Sequence, residues 1–441
     1  MNFKKTLLGF LCLITLTACL SSSSLMKGSQ NTLPKFLTIS DVHLNPNVDM
    51  VDYGCDTGND LWTRAQQKLD DLIVSEKPDF VLYLGDLPVH SGEQAPCTNG
   101  DKYIHKGIES VLEGLRTIAN NRDVPLLYLP GNNDAYGGDY HSFTDSVGTV
   151  AESPYIMDAA GTKEWPMINS SKQAKFIDGN REFGYFSAYP LGTPKRNQKG
   201  LRTIMLNTVV FCCPAGMWTG YVDDDGVDQQ DAGNEQLNWL EAQLEAAASA
   251  DEAIIVAMHI PPGKGYYDGG PNWNQAQLYY DAQTKIHESF DEKFNALVKT
   301  YQKNIVGILT SHTHTDAIKR IIDGTDVIEI TVSTPGVTVN HDNNPAMKIF
   351  NYSPSNYELM DFTTYYTTPT ATGWGDKQYT FSDSFGCTNG ESMLACVQRL
   401  TNNDPTGTQQ NVVSLINKIL YTKSPKGGLF RMPEALDIYV K

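Results

Sequence analysis

Phe36-Leu37-Thr38-Ile39-Ser40-Asp41-Val42-His43 is a short apolar run that ends on an Asp-x-His pair. The design recurs along the chain. Phe80 to Leu84 leads into Gly85-Asp86, Leu126 to Leu129 into Gly131-Asn132-Asn133-Asp134, Ile254 to Met258 into His259, and Ile305 to Leu309 into His312-Thr313-His314. Runs this short and rich in β-branched residues read as strands buried on both faces. Five strand ends then deliver carboxylate, amide and imidazole groups to one edge.

Between these runs the periodicity is helical. Leu61, Ala65, Leu69, Leu72 and Ile73 space a helix over Asp60 to Lys77, stopped by Pro78. Lys102 to Asn121 and Asp281 to Lys299 read as helices, and Asn234 as the N-cap of Glu235 to Ala250. Arg202 to Leu206 adds a strand, and Asp326 to about Thr364 is strand-rich. Alternating strands and helices followed by strands predict an α/β fold, mixed sheets covered by helices. The domain spans residues 35–366. Residues 367–441, rich in Gly, Thr and Asn, read as a small, partly helical C-terminal extension with helices near Ser392 to Leu400 and Gln410 to Tyr421.

The first 19 residues carry Lys4 and Lys5, an apolar stretch from Leu7 to Leu16, and Leu16-Thr17-Ala18-Cys19. This pattern reads as a signal peptide, and its apolar stretch is too short for a permanent span. The tetrapeptide resembles the lipobox of bacterial lipoproteins. That implies cleavage before Cys19, lipid on Cys19 and a serine-rich tether over residues 19–34. An ordinary secretory signal is the alternative, and both export the protein. The expected location is the outer membrane or cell surface, or the periplasm or exterior without the lipid.

An exported chain can form disulfides, and Cys55, Cys97, Cys212, Cys213, Cys387 and Cys396 are available. Cys387 with Cys396 is a local loop, Cys55 with Cys97 would tie two insertions, and Cys212 with Cys213 would be a vicinal bridge. The spacing alone does not choose among pairings. A formal charge of -17 argues against a nucleic-acid-binding surface, so an anionic substrate has to be held locally.

The clustered residue types suit phosphoester hydrolysis by two divalent ions about 4 Å apart, which activate a hydroxide and neutralise phosphoryl charge. Asp86 would bridge them. Asp41, His43 and His314 would complete one site, and Asn132, His259 and His312 the other. An imidazole-rich set favours Zn²⁺, with Mn²⁺ or iron possible. Each motif alone is a weak signal; their order and placement after apolar runs make the set specific.

The chain resembles the calcineurin-like metallophosphoesterase superfamily, and within it the acid sphingomyelinase-like phosphodiesterases. The closer likeness rests on Gly85-Asp86-Leu87-Pro88-Val89-His90, Met258-His259-Ile260-Pro261-Pro262-Gly263 and His312-Thr313-His314-Thr315-Asp316. The resemblance implies a four-layer αββα sandwich with two mixed β-sheets, two zinc ions, and a small phosphodiester, nucleotide or phospholipid substrate. Where relatives place a histidine that assists the leaving group, this chain has Asn133, and an amide cannot deliver a proton. His90 matches a second active-site histidine of the group and is the substitute candidate. Gly131-Asn132-Asn133-Asp134 with Tyr53-Gly54-Cys55-Asp56-Thr57 also resembles the endopolyphosphatase-like branch. A metal-binding surface lipoprotein without turnover is the third reading. His105, His287 and His341 match no motif and are assigned to surface or helix positions.

Overall fold

The computed structural model describes residues 33–92, 97–141, 143, 173–180, 183–212, 229–267, 269–402, 410–428 and 433–441. The leader, Cys19, the tether up to Thr32, and Cys213 lie outside the described residues.

The apolar runs are strands. β1 (Lys35–Ile39), β2 (Val81–Tyr83) and β3 (Leu126–Tyr128) run parallel, and β2 lies between the other two. α1 (Asn59–Glu76) and α2 (Ile104–Arg122) make the two crossovers. The next part supplies β4 (Lys175–Asn180), β5 (Tyr185–Tyr189), β6 (Leu201–Leu206), α3 (Gln229–Ser249) and β7 (Ala253–Met258). A two-residue pair, β8 (Tyr279–Tyr280) and β9 (His287–Glu288), precedes α4 (Phe290–Tyr301) and β10 (Ile305–Thr310). Then come β11 (Ile318–Asp323), β12 (Asp326–Ser333), β13 (Ala346–Tyr352), β14 (Leu359–Tyr366) and β15 (Gln378–Thr380). The last elements are α5 (Phe381–Phe385), α6 (Met393–Asn402), α7 (Gln410–Ile416) and β16 (Asp437–Tyr439).

Two mixed sheets result. One has the order β15-β14-β13-β1-β2-β3, the other β16-β11-β12-β10-β7-β6-β5-β4. Side chains alternate across each strand, so each parallel strand feeds two cores. Phe36, Leu82 and Leu127 meet Met205, Ile255 and Leu309 between the sheets. Their neighbours Leu37, Val81 and Leu126 face α1 and α2, while Ile254, Val256 and Met258 face α3 and α4. The architecture is the four-layer αββα sandwich, and burial on both faces is why the strands read as unbroken apolar runs. Phe36 stacks on Phe80 and Phe350, each at 4.9 Å, so Phe36→Ala costs roughly 3–5 kcal/mol.

Some elements differ from the sequence expectation. α3 begins before Asn234, whose Oδ1 accepts the Tyr280 N–H at 3.0 Å instead of capping a helix. The expected helix over Asp281 to Lys299 is split. Ser289 and Glu292 form a reciprocal capping box that starts α4, and the residues before it form the β8–β9 pair. The C-terminal stretch carries helices and also an edge strand of each sheet. Arg320 clamps Asp437 of β16 through two buried bonds of 2.7 and 2.9 Å. Cys55–Cys97 and Cys387–Cys396 are disulfides; Cys212 is also bonded, to a partner outside the described residues.

Candidate metal centre

Parallel strands put their carboxyl ends on one edge, and the loops there are zipped together by the backbone. Asp41 and Val42 donate N–H bonds to the carbonyls of Gly85 and Asp86, both at 2.9 Å, and Ser311 donates to His259 O at 3.0 Å. Asp41, His43, Asp86, His312 and His314 all have φ between 45° and 69°. Non-glycine residues rarely adopt this left-handed conformation, and a cluster of them marks a functional site. Gly85 packs on Gly131 so closely that a Cβ would come within 2.5 Å of the Gly131 nitrogen and 2.7 Å of His259 Nδ1. Asp134 ties these loops from below. Its carboxylate accepts the N–H groups of Asp86 (3.1 Å), Leu87 (2.6 Å) and Gly131 (2.7 Å) and the Tyr128 hydroxyl (2.8 Å).

The structure brings all seven sequence-predicted metal residues together, from both sheets. Asp41, His43, Asp86 and His314 form one group with ligand atoms within 4.8 Å, and Asp86, His259 and His312 form another. Asp86 is common to both. Its Oδ2 lies 3.2 Å from His43 Nε2 and 3.0 Å from His259 Nε2. Asn132 joins the second group through Oδ1, 3.1 Å from His259 Nε2, while its Nδ2 donates to Asp139 at 2.7 Å.

Outer contacts set which nitrogen each ring presents. His43 Nδ1 donates to Pro88 O at 3.0 Å, and His259 Nδ1 to Leu84 O at 2.7 Å, leaving Nε2 of both rings turned inward. Such bonding is how proteins orient imidazoles toward a cation. Asp41 Oδ2, His43 Nε2 and His314 Nδ1 are buried with no hydrogen-bond partner among the described residues. Orphaned acceptors are costly unless something meets them, so the donor set fits divalent cations.

The electrostatics agree. Burial pushes the Asp41 carboxyl up to about 7. Burial acts the same way on Asp86, yet the imidazoles of His259 and His43 outweigh it and hold that carboxyl well below its usual range. Burial lowers His312 to about 3 and holds His314 well below the ordinary imidazole value, so both stay neutral and able to donate a lone pair.

The two remaining candidate residues, His90 and Asn133, part ways. His90 lies against the cluster, its ring stacked on His43 at 3.7 Å and 11°. Its Nδ1 meets Asp56 Oδ1 at 2.8 Å, and Asp56 is fully buried. Burial would lower His90, but the Asp56 carboxylate outweighs it and raises the imidazole to about 9. Asn133 is buried and turned to Asp86, with its N–H on Oδ1 at 2.9 Å and its Nδ2 on Oδ2 at 3.1 Å. Its amide supports Asp86 from outside the adjoining pocket.

That pocket, about 300 Å³, is lined by His90, Asp139, Tyr140, Tyr266, Tyr267 and His341 among others. His341, assigned from sequence to a surface or helix position, instead lies with its ring tilted against that of His314 at 4.4 Å and meets Tyr267 edge-on at 4.7 Å. The Tyr267 hydroxyl donates to Thr313 O between the two histidines of the fifth motif. Asp56, Asp139 and His341 are the functional candidates that motif reading missed. Asp56 stood inside a quoted motif, while the other two carried no pattern.

A four-layer sandwich with a carboxylate–imidazole cluster at its strand ends defines a metallophosphoesterase. The chain belongs to the calcineurin-like phosphoesterase family, whose sequence profile matches residues 34–316. It is 24% identical to acid sphingomyelinase-like phosphodiesterase 3b of Mus musculus over 370 residues, covering 76% of this chain and 71% of that one. It is also 24% identical to the cyclic GMP-AMP phosphodiesterase SMPDL3A of Homo sapiens over 383 residues, covering 80% and 76%. A solved dimetal phosphatase from Danio rerio aligns over 79% of this chain and 99% of its own at 12% identity and a TM-score of 0.41.

Proposed function

We propose that the chain is an exported phosphodiesterase of the acid sphingomyelinase-like group that works with two divalent ions. The observation carrying this reading is the pair of side-chain groups meeting at Asp86, with three buried atoms left without a partner. Asp41, His43 and His314 would hold one ion and Asn132, His259 and His312 the other, with Asp86 common to both groups. An imidazole-rich set favours zinc, with manganese and iron next. When bound, such ions supply Lewis-acid polarisation and a nucleophile at neutral pH.

The chain's own residues do the rest. The pocket beside the cluster receives the leaving portion of the substrate. His90, oriented by Asp56, passes a proton to the departing oxygen, the task that the Asn133 amide cannot perform. Asn133 and the carbonyls of Leu84 and Pro88 keep Asp86, His259 and His43 aimed inward. The scissile bond is a phosphodiester or a phosphoanhydride, in a phospholipid or a nucleotide, and the names of the relatives support the diester.

Export rests on the leader sequence and is supported by the two disulfides, which persist in oxidising compartments. Among the described residues no helix is long and apolar enough to cross a membrane. Lipid on Cys19 completes the reading, with residues 35–366 as the catalytic domain and 367–441 as its extension.

The test is parallel incubation of metal-loaded protein with sphingomyelin, ATP and polyphosphate, followed by ³¹P NMR. Phosphocholine, or AMP with pyrophosphate, supports the proposal. Shortened polyphosphate alone favours the endopolyphosphatase-like reading, and no turnover of any substrate with metal bound favours a non-catalytic surface protein.

A further inference from the structure

A second cavity, about 260 Å³, lies beside the first half of β10, whose far end leads to His312. Its walls include Ile305, Val306, Ile330, Leu359 and Met393. Among them stands Glu329 of β12, only 2% exposed. Its Oε1 accepts the N–H of Ile330 at 2.8 Å, and its Oε2 is buried with no hydrogen-bond partner among the described residues. The other charged groups lining the cavity are Lys303, Lys199 and Glu358. Lys303 and Glu358 are exposed at the rim, and the Lys199 ammonium is spent on Asp251 at 3.4 Å. Burial, only partly offset by the Ile330 N–H, pushes the Glu329 carboxyl up to about 8.

We propose that this cavity binds a small primary alkylammonium ion, with its chain on the aliphatic walls and its ammonium on Glu329 Oε2. A buried carboxylate is stable only when paired, and among the described residues no cation pairs with this oxygen. An anionic ligand gains nothing from it, because an ionised carboxylate only accepts. The chain's charge of -17 also draws cations toward it. The volume is below the ~300–1,000 Å³ of drug-sized sites, which restricts the ligand to a short chain. Binding ionises the neutral carboxyl, so each ligand bound at neutral pH releases the Glu329 proton to solvent. The inference is independent of the phosphodiesterase reading.

Titration calorimetry of the full chain with hexylammonium chloride, with sodium hexanoate as control, tests it. The wild type should bind hexylammonium roughly eight-fold more tightly at pH 8.5 than at pH 7.0, following ionisation of one carboxyl. Glu329→Gln should weaken binding at least about ten-fold and abolish the pH dependence. Leu394 also lines the cavity, and Leu394→Arg, which blocks it and keeps Glu329, should also abolish binding, guarding against misfolding of the first variant. Equal binding of hexanoate, unchanged binding by Glu329→Gln, or no hexylammonium binding by the wild type would overturn the proposal.

Discussion

The buried carboxylate of Asp56 holds Nδ1 of His90 at 2.8 Å, and the His90 ring lines the pocket beside the carboxylate–imidazole cluster. The bond orients the ring, and Thr338 steadies the same Asp56 oxygen through its hydroxyl at 3.2 Å. If His90 protonates the leaving group, removing its orienting partner should hurt poor leaving groups most. Asp56→Asn and His90→Gln should slow a diester with an alkoxide leaving group about 100-fold, and a p-nitrophenyl diester by less than about ten-fold. Steady-state kinetics on both substrates provide the check, and equal slowing would assign the pair a structural role only.

Asn133 faces Asp86, so its substitution should act on metal affinity more than on chemistry. Asn133→Ala should weaken metal binding by about 10–100-fold and leave turnover at saturating metal within about a factor of ten. Competition with a fluorescent chelator, alongside kinetics at high zinc, separates the two effects.

Asp134 satisfies three backbone donors and the Tyr128 hydroxyl beneath the site. Its removal leaves buried N–H groups unpaired. Asp134→Ala should cost on the order of 3 kcal/mol or more, read as a lowered midpoint in urea unfolding.

The strands β1, β2, β3, β7 and β10 were legible because burial on both faces leaves unbroken apolar runs, and the clustering of the seven candidate residues because each follows within a few positions of such a run. Asp56 has no role in the linear pattern. Its meaning depends on Leu44 pairing with both Thr57 and Pro88, which brings His90 to it across 34 positions. His341 reaches His314 only after the chain has passed through β11 and β12. β4 was missed because an exposed edge strand such as Lys175–Asn180 has no apolar run to show.

Lys319 gives a pH signature away from the cluster. It is wholly buried, donates to the Lys264 carbonyl and lies 4.8 Å above the Tyr266 ring. Burial, only partly offset by the Asp291 carboxylate, pushes its ammonium down to about 7. The unfolded chain therefore binds more protons than the folded one between about pH 7 and the ordinary lysine value, so this residue adds stability as pH rises through that window. Compared with Lys319→Met, the wild type should gain on the order of 1 kcal/mol per pH unit from pH 7.5 to 9.5. Paired urea melts across that range check it, since other titrations cancel in the difference.

If two ions share Asp86, the metal stoichiometry of the chain must show both. Native mass spectrometry of zinc-loaded protein, wild type against Asp86→Asn, should give two ions per chain for the wild type. The variant should hold no more than one and lose diester hydrolysis. A wild type that holds a single ion, or an Asp86→Asn protein that keeps two ions and full hydrolysis, would contradict the account.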